Sequence, residues 1–174
     1  MCHAVAVTGP PPNPAADLAS IGILGGTGPA GSGLAARLAS IGHTVVIGSR
    51  SKYRALEARD VLADRWPEIG DRLVTGDNAT AAQADIVVIA TPWEGAAAVA
   101  QETADQIAGK VVICMANALV RVNREFQPLV PPRGSVAAHV QAAVPDCRLV
   151  AAFHHLPATE LGHIDAPIDS DVLI

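Results

Sequence analysis

The chain lacks several features that would assign it to particular classes of protein. Its three cysteines, Cys2, Cys114 and Cys147, are odd in number and widely spaced, which argues against a disulfide framework and against a zinc site. Lysine and arginine number 12 against 17 acidic residues, and the net charge is −5 without a basic run. We therefore expect reduced thiols, no nucleic-acid partner and no attraction to an anionic membrane. No apolar run approaches the length that spans a bilayer.

The N-terminal stretch "MCHAVAVTGPPPNPAADLAS" also lacks the basic region with which a signal peptide begins. Three consecutive prolines follow Gly9, a composition typical of a flexible segment. We expect a flexible Pro-rich tail over 1–20, one domain over 21–174 and a cytoplasmic location. The length of 174 residues, half of them hydrophobic, is enough for one domain with a sizeable core.

Short apolar runs alternate with helical patterns from residue 21 onwards. The runs predicted as strands are 21–24, 43–49, 72–76, 85–90, 110–115 and 148–153. The predicted helices are one that carries Leu34, Leu38 and Ile41 on one face, and those over 52–66, 78–84 with Asn78 as cap, 95–107, and 135–144 with Ser135 as cap. This alternation predicts an α/β fold with a Rossmann-type doubly wound parallel sheet, and a ligand at the carboxyl ends of its strands.

The stretch "IGILGGTGPAGSGLA" at 21–35 contains glycines at the spacing G-x-G-x-x-G, at Gly26, Gly28 and Gly31. The motif follows a predicted buried strand and enters a predicted helix, which is the context that a dinucleotide site requires. Gly26 permits the tight turn, Gly28 lets the backbone approach the phosphates, and Gly31 lets the helix pack near the strand. A glycine-rich turn of an ordinary α/β unit is the alternative.

The end of the second predicted strand indicates which dinucleotide binds. Proteins specific for NAD place an acid there, whereas this chain has Ser49 and Arg50, with Arg54 close behind. Hydroxyl and guanidinium donors suit a ribose 2′-phosphate, so the predicted cofactor is NADP. The alternative for one of Lys52 and Arg54 is that it lies on the solvated face of a helix and does not bind the phosphate.

Four motifs resemble those of the deazaflavin-dependent NADP reductases, which exchange hydride between NADP and coenzyme F420, an 8-hydroxy-5-deazaflavin. They are "GGTGPAGSGLAARLA", "GHTVVIGSR", "PWE" at 92–94 and "HHLPA" at 154–158. The first two are shared with several NADP reductases, and the last two are narrower. The likeness covers 21–174 and implies a cytoplasmic oxidoreductase with NADP and F420 as small-molecule partners.

The resemblance also implies roles for individual residues. It implies that the pyrophosphate lies against Thr27, Gly28, Pro29 and Ala30, and the 2′-phosphate against Ser49, Arg50 and Arg54. It places Thr91, Trp93, Gly95, Asn117 and Ala158 around the NADP ribose and nicotinamide, and His154, Leu156 and Pro157 beside the deazaflavin ring. Hydride passes directly between the two cofactors, so no catalytic side chain and no metal is implied.

The chain departs from the family pattern at three places. Arg54 stands where a lysine is common, and 115–118 replaces a more proline-rich loop. Family members continue beyond the position of Ile174 into a segment that completes the deazaflavin pocket and the contacts of a homodimer. We therefore expect the C-terminal acceptor-side segment to be short or missing.

Other interpretations of the same residues stay open. The first alternative function is an NADP-dependent imine or keto-acid reductase, and the second is a non-catalytic NADP-binding module. Trp93 is alternatively a side chain at the edge of the core, and His154 a solvent-facing donor. The cluster His154, His155, His163 and Asp165 does not have the ligand spacing of a metal site.

Overall fold

The structure is a computed structural model that describes residues 18–174. Its strands are β1 (Ile21–Leu24), β2 (Val45–Gly48), β3 (Leu73–Gly76), β4 (Ile86–Ile89), β5 (Val111–Cys114), β6 (Leu119–Val122), β7 (Glu125–Pro128) and β8 (Arg148–Ala151). Its helices are α1 (Pro29–Ser40), α2 (Lys52–Arg65), α3 (Asn78–Ala81), α4 (Trp93–Glu102), α5 (Ala104–Ile107), α6 (Val136–Ala143) and α7 (Ala158–Leu161), and a 3-10 helix covers Pro67–Arg72.

The main sheet has six parallel strands in the order β3-β2-β1-β4-β5-β8. Its register places Gly22 of β1 between Val46 of β2 and Val87 of β4. The chain passes from β1 outward to β3, returns to β4 beside β1, and continues to the other edge. This reversal of strand order is the topological switch point of a doubly wound fold, so the predicted fold class is confirmed.

Helices cover both faces of the sheet. Successive strand side chains point to opposite faces, so Ile23 and Val88 belong to one buried cluster, and Leu24 and Val87 to the other. The first cluster packs under α1 and the second under α4 and α6. Burial on both faces explains why the central strands were recognisable as continuous apolar runs.

The helix ends differ from the sequence-based predictions. Ile41 lies beyond α1 and is 64% exposed, because the buried face of α1 consists of Leu34 and small residues such as Ala35 and Ala39. Asp77, rather than Asn78, caps α3. The helix predicted over 95–107 begins at Trp93 and is divided into α4 and α5.

Two elements near the carboxyl edge of the sheet were not predicted. The strands β6 and β7 form an antiparallel hairpin that is separate from the main sheet and exposed along its whole length. The helix α7 follows the "HHLPA" segment and packs on α1. Both elements lie in stretches, 116–134 and 154–174, for which the sequence predicts no helix or strand.

The predicted tail lies mainly in 1–17, outside the described residues. Of its last residues, Ser20 donates hydrogen bonds to Asp85 Oδ2 from its backbone nitrogen at 2.8 Å and from its hydroxyl at 2.7 Å. The bond joins the chain just before β1 to the residue just before β4. Among residues 18–174, no helix combines the length and the apolarity that crossing a membrane requires.

Gly22 provides a test of the close packing between β1 and α3. A Cβ atom at Gly22 would overlap the backbone carbonyl of Ala81, which cannot rotate away. We expect Gly22→Ala to lower the free energy of unfolding by about 1–3 kcal/mol or more, measured by urea denaturation. Gly70→Ala is the control, because a Cβ there would lie 3.4 Å from the Ala63 Cβ, an ordinary contact. Equal stability of the two variants would contradict the packing described here.

Candidate functional site

A cleft of about 760 Å³ opens where β1, β2 and β4 end. Seven of the residues predicted to bind NADP line it: Thr27, Gly28, Ser49, Arg50, Arg54, Thr91 and Gly95. They come from the loops after β1, β2 and β4 and from the first turns of α2 and α4, which the parallel sheet brings together at its carboxyl edge. The cleft therefore lies where the topology predicts a ligand.

The turn after β1 is fixed by hydrogen bonds to neighbouring elements. Gly25 has a φ of 73°, a conformation that favours glycine, and its backbone nitrogen donates to Asn78 Oδ1 at 3.2 Å. The nitrogen of Gly26 donates to the carbonyl oxygen of Gly48 at 2.9 Å. Asn78 is only 8% exposed, so the turn is held from within the protein.

The helix α1 begins without a side-chain cap. Its N-cap residue is Gly28, Pro29 occupies the first turn, and no acidic residue lies in that turn. The first backbone N–H groups of a helix have no partner within the helix, and they attract anions. The start of α1 therefore has the donors that a pyrophosphate needs.

Two glycines of the motif differ in what surrounds them. A Cβ at Gly31 would lie 2.9 Å from the Gly26 Cα, so packing within the protein requires glycine there. A Cβ at Gly28 would meet nothing closer than 4.0 Å. The space beside Gly28 is thus open to a ligand, and the protein's own packing gives no reason for glycine at this position.

The side chains that follow β2 give one end of the cleft a positive charge. Ser49 is 7% exposed, and its hydroxyl accepts a hydrogen bond from the Ser51 nitrogen at 3.2 Å. Arg50 and Arg54 are exposed, and within 18–174 neither guanidinium makes a hydrogen bond or an ion pair. Two free guanidinium groups at one end of a cleft favour an anionic group such as a phosphate.

Four buried side-chain polar atoms of residues 18–174 have no hydrogen-bond partner. Within the described part of the chain these side-chain atoms are Thr91 Oγ1, Trp93 Nε1, His154 Nδ1 and His155 Nδ1. A buried polar group left unpaired costs about 1–3 kcal/mol, so such atoms call for an explanation. Three of the four belong to residues that the sequence analysis assigned to cofactors.

A second cavity of about 240 Å³ lies at the carboxyl ends of β5 and β8. Asn117 and His154 both line it, and Asn117 Nδ2 donates to the His154 carbonyl oxygen at 3.0 Å. The buried Cys114 also lines it, and burial raises the pKa of its thiol, which keeps the thiol protonated. Asn117 therefore neighbours the segment predicted for the deazaflavin and does not line the cleft.

The remaining predicted residues line neither of these two cavities. Leu156 is 9% exposed and belongs to the core beneath α1. Trp93 is the first residue of α4 and packs against the other core cluster, and Ala158 is the first residue of α7. Gly26, Pro29, Ala30 and Gly31 belong to the turn after β1 and the start of α1, and Pro157 precedes α7.

Sequence reasoning did not identify several residues that line the cleft. They are Gly25, Ser51, Asn78, Ala90, Pro92, Ala98, Val99 and Glu102. Ala98 and Glu102 are four residues apart on α4 and so share a face, a signal that was readable from the sequence. Asn78 gave no such signal, because its contact with Gly25 spans 53 positions.

The histidine and aspartate cluster considered as a metal site is used in other contacts. His155 Nε2 donates to the carbonyl oxygen of Asp171 at 2.7 Å, and Asp165 Oδ2 accepts from Trp66 Nε1 at 3.3 Å. Within residues 18–174, no three histidine, cysteine or acidic side chains come together as a metal-binding group.

Comparison with known proteins gives consistent matches. The sequence profile of the family described as "NADP oxidoreductase coenzyme F420-dependent" matches residues 20–118. The chain is 33% identical over 160 residues to the F420-dependent NADP reductase of Methanocaldococcus jannaschii, with 88% of this chain and 71% of the relative covered. It is 34% identical over 166 residues to the enzyme of the same name from Methanothermobacter marburgensis, with the same coverage of each chain.

A solved structure agrees with these relatives. It is a protein from Arthrobacter sp. FB24, provisionally assigned as an F420-dependent NADP reductase, with a TM-score of 0.68 and 26% identity. The match covers 81% of this chain and 64% of that chain, so the present chain spans slightly less than two thirds of the solved one.

Asp77 provides a test of how α3, whose first residue Asn78 lines the cleft, is stabilised. Its carboxylate accepts from the Thr80 hydroxyl at 2.7 Å and the Thr80 nitrogen at 2.8 Å, and these bonds hold its pKa below the ordinary value of 3.8. A carboxyl group whose pKa is lower in the folded state than in the unfolded state stabilises the protein at any pH above its unfolded-state pKa. That stabilisation is lost as the pH falls through its folded-state pKa. We therefore expect wild type to lose stability below pH 3.8 more steeply than Asp77→Asn.

Urea denaturation midpoints measured from neutral pH to below 3.8 check this expectation. Asp64→Asn, which removes an exposed carboxylate from α2, is the control for a general change in charge. Parallel pH profiles of wild type and Asp77→Asn would show that the cap does not contribute.

Proposed function

Because the chain belongs to the family of coenzyme F420-dependent NADP oxidoreductases, we propose that it transfers hydride between NADP(H) and the deazaflavin coenzyme F420. The observation that carries the proposal is the cleft at the switch point, with an uncapped helix start at one wall and two free guanidinium groups at one end. The imine or keto-acid reductase and the non-catalytic module are not favoured by the matched family. As the resemblance implies, the proposed setting is a cytoplasmic homodimer.

The NADP phosphates fit the residues present. In the proposal, the pyrophosphate accepts hydrogen bonds from the backbone at the start of α1, and Gly28 allows its close approach. Arg50 and Arg54 pair with the 2′-phosphate, and Ser49 donates its hydroxyl. The open space beside Gly28, with its nearest neighbour at 4.0 Å, supports this fit.

The ring end of the proposed site follows from the unpartnered polar atoms. In the proposal, Thr91 Oγ1 and Trp93 Nε1, both buried without a partner, bind the ribose and the nicotinamide carboxamide, with Gly95 beneath. His154 binds the deazaflavin, together with Leu156 and Pro157. Asn117 and Ala158 also line the NADP ribose and nicotinamide in the proposal, next to the segment assigned to the deazaflavin, since Asn117 contacts His154 and Ala158 is the first residue of α7.

The protein's part in the reaction is to position the two rings and to exclude water. When both cofactors are bound, the nicotinamide C4 would supply a hydride and the deazaflavin C5 would accept it. The side chains assigned to the rings would hold these two carbons at reacting distance, and this orientation would raise the rate. No side chain needs to exchange a proton with the carbon centres.

Arg50→Ala tests the assignment of the 2′-phosphate. The variant removes a charge-assisted contact of about 1.5–3 kcal/mol, so NADP binding should weaken about tenfold to a hundredfold. Binding of NAD should barely change, because NAD lacks the phosphate. Calorimetric titration of both nucleotides measures the two affinities.

Arg59→Ala is the matched control, since Arg59 lies in a surface ion pair with Asp60 on α2. It should bind both nucleotides like wild type. An equal loss for NAD and NADP in Arg50→Ala would show that Arg50 does not contact the 2′-phosphate.

Acceptor preference tests the proposed reaction. We expect the chain to oxidise NADPH with F420 and not with a free flavin, a cyclic imine or a keto acid, because "PWE" and "HHLPA" are the narrower motifs of the family and no lysine or tyrosine of residues 18–174 lines the cleft to act on those substrates. Absorbance at the visible maximum of the deazaflavin follows the reaction. Preference for an imine or a keto acid would support the imine or keto-acid reductase. NADPH binding without any turnover would support the non-catalytic NADP-binding module.

A further inference from the structure

The side chain of Arg37 makes four hydrogen bonds to one short segment near the C-terminus. Its Nη2 donates to the carbonyl oxygens of Glu160 at 2.8 Å and His163 at 2.7 Å, and its Nη1 to that of Ala166 at 3.1 Å. Its Nε donates to the carbonyl oxygen of Leu161 at 3.4 Å. One guanidinium thus binds the carbonyl groups at the end of α7 and in the turn that follows.

The helix α7 needs such an anchor because it is only four residues long. A helix of this length is not stable by itself. It lies directly on α1, since a Cβ at Gly33 would be 2.9 Å from the backbone nitrogen of Gly162. Leu161 is buried in the same core cluster as Leu34, which completes the contact.

A second bond holds the same segment in place. Trp66 Nε1 donates to Asp165 Oδ2 at 3.3 Å, and the partly buried Ile164 and Ile168 pack against the core under α1. The segment 158–168 is therefore fastened to α1 and to the end of α2. We call it the strap.

The strap follows directly on the loop 153–157. That loop contains His154 and Leu156, and on the sheet side the bond from Asn117 to His154 holds it. At its other end the loop continues into the strap, and Leu156 packs in the same core cluster as Leu161 and Leu34 of α1. The helix α1 therefore connects the turn at Gly28 with the loop that follows β8.

We propose that Arg37 is a positioning residue, which sets the distance between the ring-binding loop 153–157 and the pyrophosphate end of α1. This inference rests on the proposed function, since the loop is assigned to the deazaflavin there. Arg37 lies in the last turn of α1, away from the cleft, and does not line either cavity. It acts on hydride transfer by holding the loop, without contact with a cofactor.

Arg37→Lys tests this role, because lysine keeps the charge but lacks the planar fork that reaches several carbonyl groups at once. We expect the single-turnover rate of hydride transfer to F420 to fall about tenfold or more, since small misplacement of reacting groups is costly. The Kd for NADP should stay within about threefold of wild type, because the phosphate contacts lie at the other end of α1. Amide hydrogen exchange should accelerate in 153–166.

Arg72→Lys is the matched control. Arg72 Nη1 donates to the carbonyl oxygen of Gly42 at 2.6 Å, so this variant also weakens an arginine–carbonyl bond, but one that does not involve the strap. It should leave the hydride-transfer rate, the NADP affinity and the exchange in 153–166 unchanged. If Arg37→Lys does not fold, Asp165→Ala replaces it, because that variant removes the Trp66 bond and leaves α1 intact.

Two results would overturn the inference. One is an unchanged hydride-transfer rate in a folded variant with faster exchange in the strap. The other is a loss of NADP affinity as large as the loss of rate, which would indicate general damage to the fold. If wild type itself transfers no hydride to F420, the proposed function fails. The anchoring role is tested separately, because unchanged amide exchange in 153–166 of Arg37→Lys would refute it whatever the activity.

Discussion

The close approach of α1 to the sheet is the constraint on which the rest of the structure depends. A Cβ at Gly31 would come within 2.9 Å of the Gly26 Cα and 3.2 Å of the Ala90 Cβ, so small residues are required at this crossing. The same helix accepts α7 against Gly33. One helix therefore fixes both the glycine-rich turn at the cleft and the segment that follows the loop 153–157.

The six strands of the main sheet were predictable because parallel strands are buried on both faces and have nearly continuous apolar sequences. The hairpin of β6 and β7 has no such signal, since it is exposed on both faces and mixes Arg121 and Glu125 with apolar residues. The helix α7 was missed for another reason. Four residues carry no helical period, and Arg37, which binds the end of the helix, is more than 120 positions away in the sequence.

The residues that line the cleft also divide into those that the sequence predicts and those that it does not. Arg50 and Thr91 were predictable because strand order places the loops after β2 and β4 at the switch point, whatever the details of packing. The prediction of Asn78 as a helix cap was wrong, since Asp77 caps α3. Asn78 instead contacts Gly25, and the residues around Asn78 in the sequence give no sign of this contact. Local sequence reports which element a residue begins, whereas the partner of its side chain is decided by the tertiary fold.

The charge of the chain shows why the position of a few groups matters more than the total. A net charge of −5 opposes a polyanionic cofactor at long range, but salt screens exposed charges beyond about 8 Å at physiological ionic strength. Inside that distance the cleft offers Arg50, Arg54 and the start of α1, against one carboxylate, Glu102, on the wall formed by α4. The local balance is positive at the end where a 2′-phosphate would lie, so an acidic protein can favour NADP over NAD without a basic surface.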